Sequence, residues 1–506
     1  MKNGMLSVIV WIFSIAVLHA QKKDILHYVN PFIGTESSDV VTQWGSEGFT
    51  YPGAVAPFGY IQLTPETSVT DRRGYYHKDS SIYFFSCINH PSGYPNGSSG
   101  RLLVMPVQNG THFIVGKSRR NFNHKNEQAA PGYYRVLFED DNTLVEATAT
   151  ERTGMFRFTF PADSSPAIFI GDIGEITMKS KQFFIGDKFN SVLQFSEEIV
   201  SNEKTDDGYV LTFSSSTDRP KIITLKLSTS AVSVESAGDN IKTELHDLSF
   251  DQVIEQAQRK WRKELAVIDV DDNNEENKTI FYTALYHSLL IPWIISDVDG
   301  RYMGRDHAVH KTSGKNEYGK FSPWDTYRTL HPLLTLLFPE RQNDMVLSML
   351  DVYKQSGYLP IEPMTGNHAV PIIADSYLKG ITGFDKSLAY EAMKKSIDVA
   401  PFLQHDLETY HKDGYLSSLY SESVTRTVEY SYDDWSLAQF AKFAIHQQDD
   451  YERLLQRSYS YRNLLYPQQL FFLPRHHNEF KIHPGNFGYK EGDKWVYSYA
   501  IPNHTD

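Results

Sequence analysis

The densest cluster of chemically capable side chains is Phe321-Ser322-Pro323-Trp324-Asp325-Thr326-Tyr327-Arg328. Ser322 before Pro323 reads as an N-cap followed by a first helical turn. Trp324, Asp325 and Arg328 then share that turn, with Asp325 and Arg328 at i, i+3. Two readings stand. One is a helix cap with a local Asp325–Arg328 ion pair, which the motif alone favours. The other is a sugar subsite, with an indole for the apolar ring face and a carboxylate and guanidinium for vicinal hydroxyls. A second cluster, Met364 to Pro371, holds Asn367 and His368 and leads into Ala374-Asp375. A lone histidine in such a loop is more often structural than catalytic. A third, Tyr489 to Tyr497, sets Glu491 among aromatics, where partial loss of water suits a carboxyl to general-acid work. An exposed loop glutamate is the plainer alternative. Further upstream, Ser86 to Tyr94 offers His90 and Tyr94 for a pocket rim, or for holding a turn. Asp433 and Asp434 are adjacent, so on a helix they point about 100° apart and do not converge. They read as one packed and one solvated group.

Composition narrows the field. The 506 residues carry 49 Lys+Arg against 62 Asp+Glu, a net charge of −13, with 41 % hydrophobic and 22 % charged residues. Such a chain folds, and it is long enough for two or three domains. Without a cationic excess it is a poor ligand for phosphate backbones, so nucleic acid is not expected as a partner. Cys87 is the single cysteine, which excludes intrachain disulfides and cysteine-based metal sites. No GxxxxGK[ST], strand–helix GxGxxG, HExxH or GxSxG motif is present.

The elements that must hold these clusters change character along the chain. From Asp24 to Ser249, turn residues recur at short intervals, among them Pro31, Gly34, Pro52-Gly53, Pro57, Pro131-Gly132 and Pro161. Between them lie strand-like runs such as Gly132–Phe138, Thr153–Phe160 and Lys221–Leu227. Many short strands with frequent turns predict a β-sandwich. A helix is predicted over Asp251–Ala266, capped by Ser249 and burying Val253, Ala257, Trp261 and Leu265. The acidic stretch from Asp269 to Glu276 reads as a solvated loop, with Ca²⁺ binding a weaker second reading. Beyond it, helical spacing marks Asn277–Leu290, Trp324–Phe338, Arg341–Gln355, Asp385–Val399, Glu429–His446 and Asp450–Tyr466. Serial helix pairs with functional loops point to an α/α toroid.

The N-terminus pairs Lys2 with an apolar run from Met5 to Leu18 and a small residue at Ala20. That is the layout of a secretory signal peptide over residues 1–20, too short to span a bilayer. A lipid anchor would need a cysteine at the cleavage point, so export to a periplasm or medium without anchor or membrane span is expected.

Taken in order, several segments resemble glycoside hydrolase family 92, the calcium-dependent exo-α-mannosidases. They are Tyr28–Thr35, Tyr51–Gly59, Pro131–Tyr134, Trp324–Arg328, Pro332–Leu334, Asn367–Pro371, Ala374-Asp375, Glu429-Tyr430, Asp433–Trp435 and Glu491-Gly492. The resemblance implies an α+β multidomain fold: an antiparallel β-sandwich over 24–245, a helical linker over 246–276 and an (α/α)₆ toroid over 277–506. It implies a mannose-containing glycan as substrate and an inverting mechanism. One carboxylic acid protonates the leaving oxygen and a second carboxylate, roughly 6.5–9.5 Å away, activates water. Ca²⁺, an oxygen-seeking ion, would hold sugar hydroxyls. By motif, Glu491 is the general acid. Trp324, Asp325 and Arg328 line the sugar subsite, and Asn367, His368, His90 and Tyr94 are further pocket candidates. Two departures follow. Asp493 stands where the family has Asn, and Ile501–His504 matches a Val-Pro-His-Asp stretch imperfectly. The family's HxPYLYN-like and GNDDxGxxSAW-like segments, the latter carrying the base, are not found. The toroid is therefore expected to be incomplete at its C-terminus, the general base absent from this chain, hydrolysis impaired and the calcium ligands incomplete. The alternative is a non-catalytic mannoside-binding remnant or a surface glycan-binding protein.

Overall fold

A computed structural model describes residues 24–42, 45–47, 50–68, 74–88, 101–174, 176–179, 182–185, 189–312, 314–361, 364–398, 405–482, 487–501 and 503–504. The expected signal peptide, His90 and Tyr94 lie outside the described residues.

The N-terminal half is an antiparallel sandwich. Among the described residues one sheet has nine strands, ordered Ile176–Lys179, Gln182–Ile185, Ser191–Phe195, Lys221–Ser228, Thr153–Phe160, Leu144–Ala149, Tyr133–Phe138, Arg120–Ala130 and Ser81–Ile82. The other has seven: Ile199–Lys204, Gly208–Phe213, Pro166–Gly171, Arg101–Gln108, Phe84–Ile88, Gln62–Glu66 and Ala54–Val55. Alternation sets the faces. Along Tyr133–Phe138 every second side chain is buried, so Tyr134, Val136 and Phe138 face inward. Val136 lies across from Val145, and Phe156 and Phe158 lie across from Leu225 and Ile223. These side chains meet Phe85, Ile168 and Phe169 in one core. Each fully buried Phe or Ile contributes about 1.5–3 kcal/mol of transfer free energy, which makes this core the main stabiliser of the half.

The Phe250–Leu265 helix starts as its sequence predicts. Ser249 Oγ accepts from Gln252 N at 3.3 Å and Gln252 Oε1 accepts from Ser249 N at 2.9 Å, a reciprocal capping box. Its buried face ties the two halves. Trp261 donates its indole N–H to Val55 O at 2.7 Å and packs 4.5 Å from the Tyr286 ring. Gly132, at φ +76°, lets the sandwich approach: an added Cβ would fall 2.7 Å from Ala257 Cβ. The halves also share backbone hydrogen bonds, Phe58 N to Leu289 O at 2.7 Å and Ile294 N to Phe58 O at 2.9 Å. Arg341 covers the Phe58 ring at 4.5 Å while pairing with Glu264 at 2.8 Å.

The C-terminal half is helical, with Glu275–Ser288, Pro339–Ser356, Ala369–Leu378, Lys386–Asp398 and Ser423–Phe440 among its elements. The helix predicted over Trp324–Phe338 is two pieces, Pro323–Thr326 and Leu330–Leu337. Pro332 explains the break, because its ring clashes with the carbonyl four residues back and it offers no N–H. The acidic stretch is a largely exposed loop over Asp269–Asn274, as expected, that runs into the helix starting at Glu275. Asp272 Oδ1 accepts from Asn274 N at 2.7 Å, and Asn274 Oδ1 accepts from Glu276 N at 2.9 Å. Those oxygens serve the backbone.

Candidate active site

The Ser322–Arg328 cluster forms a single helical turn with a different bonding pattern from the one its sequence suggests. Ser322 takes the N-cap position with Pro323 behind it, but its hydroxyl donates to Asp325 Oδ2 and caps no amide. The Asp325–Arg328 ion pair does not form. Arg328 turns to its neighbour, donating from Nε to Tyr327 Oη and lying 5.1 Å over the Tyr327 ring. Asp325 stays exposed, and the buried Trp324 indole N–H has no partner in the fold.

Tyr327 connects this turn to the interior. It is buried, its ring stacks on His368 at 4.2 Å, and its hydroxyl reaches Glu429 Oε2 at 3.4 Å. His368 lies between two carboxylates. Its Nδ1 is 2.8 Å from Asp433 Oδ1, and its Nε2 is 2.9 Å from Glu429 Oε2, an ion-pair contact whose angle falls short of a hydrogen bond. Burial by itself would lower the imidazole pKa. The Asp433 and Glu429 charges outweigh it and raise the value to about 9, so His368 is a buried cation at neutral pH. Gly366, at φ +80°, gives the ring its room, since a Cβ there would come within 2.6 Å of Nε2.

His368 and Asn367 were expected among pocket residues. Both side chains are buried. Asn367 N donates to Asp433 Oδ2 at 2.6 Å and its Nδ2 donates to Ser396 O at 3.2 Å. Its buried Oδ1 is unpartnered and borders a cavity with room for about one water, shared with Tyr410, Tyr430, Asp433 and Asp434. The pair shapes the site from behind.

The reading of Asp433 and Asp434 as one packed and one solvated group is also corrected: each is 1 % exposed. They diverge as the helix requires, Asp433 to the 367–368 turn and Asp434 to Arg457 at 2.8 Å and Tyr410 at 2.9 Å. Burial raises the Asp434 pKa to about 6 despite Arg457. A half-buried arginine and a buried histidine keep both aspartates inside. Both partners are too distant in sequence to be foreseen.

Glu491 sits on a loop clamped to the start of the Ser423–Phe440 helix. Lys490 N donates to Thr425 Oγ1 at 2.9 Å, Val424 N donates to Gly488 O at 3.0 Å, and Tyr497 Oη donates to Lys490 O at 2.6 Å. Glu491 itself adopts φ +47°, a left-handed conformation that costs of order 1–3 kcal/mol in a non-glycine residue. The side chain is exposed by area, yet its carboxyl is shielded enough that loss of water raises the pKa. Lys490 opposes the rise, and Asp325 and Glu422 reinforce it. Asp325 thus lies within electrostatic reach of Glu491. Tyr497, on the far side of this loop, lies within electrostatic reach of Glu429 and Arg328 as well as Glu491.

The organiser is a stripe on the Ser423–Phe440 helix. Thr425, Glu429 and Asp433 recur at i, i+4, i+8 and share one face. Thr425 holds the Glu491 loop, and Glu429 and Asp433 hold His368. The sequence reading passed over Tyr327, Thr425 and Glu429 as site residues. Polar residues at helical spacing inside an otherwise buried helix were the available signal. Asp493, the residue that departs from the family pattern, caps the Lys494–Tyr499 helix by accepting from Trp495 N at 2.9 Å and Val496 N at 3.1 Å. An asparagine would cap equally well.

The glycosyl hydrolase family 92 N-terminal domain matches residues 28–216, and the family 92 catalytic domain matches residues 236–506. The chain belongs to glycosyl hydrolase family 92. A family GH92 α-mannosidase from Bacteroides thetaiotaomicron is 29 % identical, with a TM-score of 0.85 over 95 % of this chain and 71 % of that one. A family GH92 inverting mannosidase from Bacteroides thetaiotaomicron VPI-5482 is 25 % identical, with a TM-score of 0.84 over 93 % and 70 %. An uncharacterized secreted glycosidase of Arthroderma benhamiae is 22 % identical over 92 % of this chain, which spans 66 % of that protein's length. The antiparallel sandwich followed by a helical domain is therefore the family 92 architecture.

Proposed function

We propose that this family 92 chain is an exported exo-acting α-mannosidase that removes terminal mannose from glycans of the N-glycan or mannan type. The observation that carries this reading is that the Thr425–Glu429–Asp433 stripe holds both candidate segments, anchoring the Glu491 loop through Thr425 at 2.9 Å and reaching Tyr327, the partner of Arg328, through Glu429 at 3.4 Å. The neighbour that is an α-mannosidase, known also in complex with mannoimidazole, supports mannose as the recognised sugar. Glu491 is the general acid of this reading: shielding from water keeps its proton to a higher pH than an ordinary glutamate, ready for the leaving oxygen. Trp324 covers the apolar sugar face, and Asp325 and Arg328 bind hydroxyls. Export rests on the N-terminal twenty residues and on a relative called secreted. Among the described residues no helix is long and apolar enough to cross a membrane.

An inverting mechanism needs a second, available carboxylate. Asp433 is engaged by His368, Asp434 by Arg457, and Glu429 by His368 and Tyr327. None of the three is free to activate water, so we expect weak hydrolysis from these residues alone. The same observation favours a second reading, a mannoside-binding protein without turnover. Calcium is implied by the family, but among the described residues the acidic side chains around Glu491 supply no trio at metal-ligand spacing.

Hydrolysis of an aryl α-mannoside by the 506-residue chain, compared with Glu491→Gln, tests the reading. Detectable turnover that falls at least 100-fold in the variant, with mannoside binding retained, supports the acid role. Binding without turnover in either protein selects the second reading. Equal turnover in both proteins removes Glu491 from the mechanism.

A further inference from the structure

A second cluster of chemically capable groups lies in the sandwich. His77, His124 and Glu127 each place one ligand atom within 4.8 Å of the others. His124 and Glu127 sit three apart on the Arg120–Ala130 strand, a spacing that sends side chains to opposite faces of a regular strand. Here the pairing with Tyr133–Phe138 shifts register between Phe122 and Glu127, and the irregularity brings the two together. His124 Nδ1 stands 2.7 Å from Glu127 Oε2.

The bonding around these atoms leaves a place for a cation. His124 Nε2 is 3.1 Å from Asp79 O, and a carbonyl only accepts, so Nε2 carries the hydrogen. The other nitrogen then faces a carboxylate oxygen. Two electron-pair donors at that distance need a positive centre between them, a proton or a metal ion. Glu127 is buried and oriented by two phenols, Tyr75 Oη at 3.0 Å and Tyr134 Oη at 2.5 Å. The His77 ring lies 4.1 Å from the His124 ring. A histidine whose far N–H is fixed by a carbonyl, beside a carboxylate fixed by hydroxyls, is the supporting pattern of a metal-ligand pair.

We propose that His77, His124 and Glu127 bind a divalent transition-metal ion of the zinc type. Two imidazole nitrogens and one carboxylate oxygen suit such an ion and not Ca²⁺, which prefers an all-oxygen shell. Binding replaces the positive centre between His124 and Glu127. It draws the three donors to the spacing set by bonds of about 2.0–2.2 Å and leaves a position for water. The ion clips the segment carrying His77 onto the Arg120–Ala130 strand. The site is independent of the mannosidase reading, because none of its residues serves there.

The test uses the full, tag-free chain stripped with a chelator and titrated with Zn²⁺ by calorimetry, with Co²⁺ absorption as a second probe. The expected result is one saturable ion per chain with tetrahedral Co²⁺ bands, weakened at least tenfold in His77→Ala. His77 is only partly buried, so that variant folds, and a matching circular dichroism spectrum checks it. Replacing a histidine pair of the helical half, His476→Ala with His477→Ala, leaves the affinity unchanged. The proposal is overturned by absence of saturable binding, by unchanged binding in His77→Ala, or by loss of binding in the His476/His477 variant instead.

Discussion

His368 and Asp433 meet at 2.8 Å inside the helical half, 65 residues apart in sequence, and the contact leaves the other ring nitrogen against Glu429. The imidazole therefore bridges two carboxylates that sit one helical turn apart on the same face. That bridge fixes the ring on which Tyr327 stacks, and Tyr327 in turn holds Arg328. A buried cation thus sets the position of a surface guanidinium.

The bridge makes stability depend on pH. The folded pKa of His368 is raised from 6.5 to about 9, so between these values the native chain binds a proton that the unfolded chain does not. Stability from this group is complete below about pH 6.5 and is lost as pH rises toward 9, about 3 kcal/mol in all. Thermal melts of wild type and His368→Gln should differ most at pH 6 and converge toward pH 9. A difference that grows with pH would contradict the assignment.

Thr425→Val removes the acceptor for Lys490 N while keeping the volume of the side chain. One unsatisfied amide costs about 1–3 kcal/mol, so the fold survives. The Glu491 loop loses its anchor, and turnover or mannoside binding should fall about tenfold from misplacement alone. Unchanged function in a folded Thr425→Val protein would separate this anchor from the site.

Gly132→Ala probes the seam between the halves. The added methyl meets Ala257 Cβ at 2.7 Å from a backbone at φ +76°. Strain of this kind costs about 1–3 kcal/mol, and the helix that carries Trp261 must shift to relieve it. A lowered melting temperature with intact far-ultraviolet circular dichroism is expected. Wild-type stability would mean that the seam yields freely.

Much of the fold was legible because local rules agreed with tertiary ones. Tyr133–Phe138 alternates cleanly, and Ser249 announces the cap that begins the linker helix. The break after Thr326 was legible in Pro332, and helical spacing hid it. The site was harder to read. Trp324, Asp325, Arg328 and Glu491 came from motif, and what links their segments is seen only through Thr425 and Glu429 on one distant helix. Asp433 and Asp434 looked half solvated because their partners, His368 and Arg457, lie 65 and 23 residues away. His77, His124 and Glu127 are scattered over two strand neighbourhoods and converge only through an irregular strand.

The central claim is that the Trp324–Arg328 turn and the Glu491 loop form one mannose-recognising site. Calorimetric titration of the wild-type chain with mannoimidazole, beside Asp325→Ala and Arg328→Ala, tests it most directly. One saturable site is predicted, weakened at least tenfold by each substitution, in line with the loss of about 1.4 kcal/mol or more of hydrogen bonding to the sugar. No binding to wild type, or equal binding by all three proteins, would contradict it.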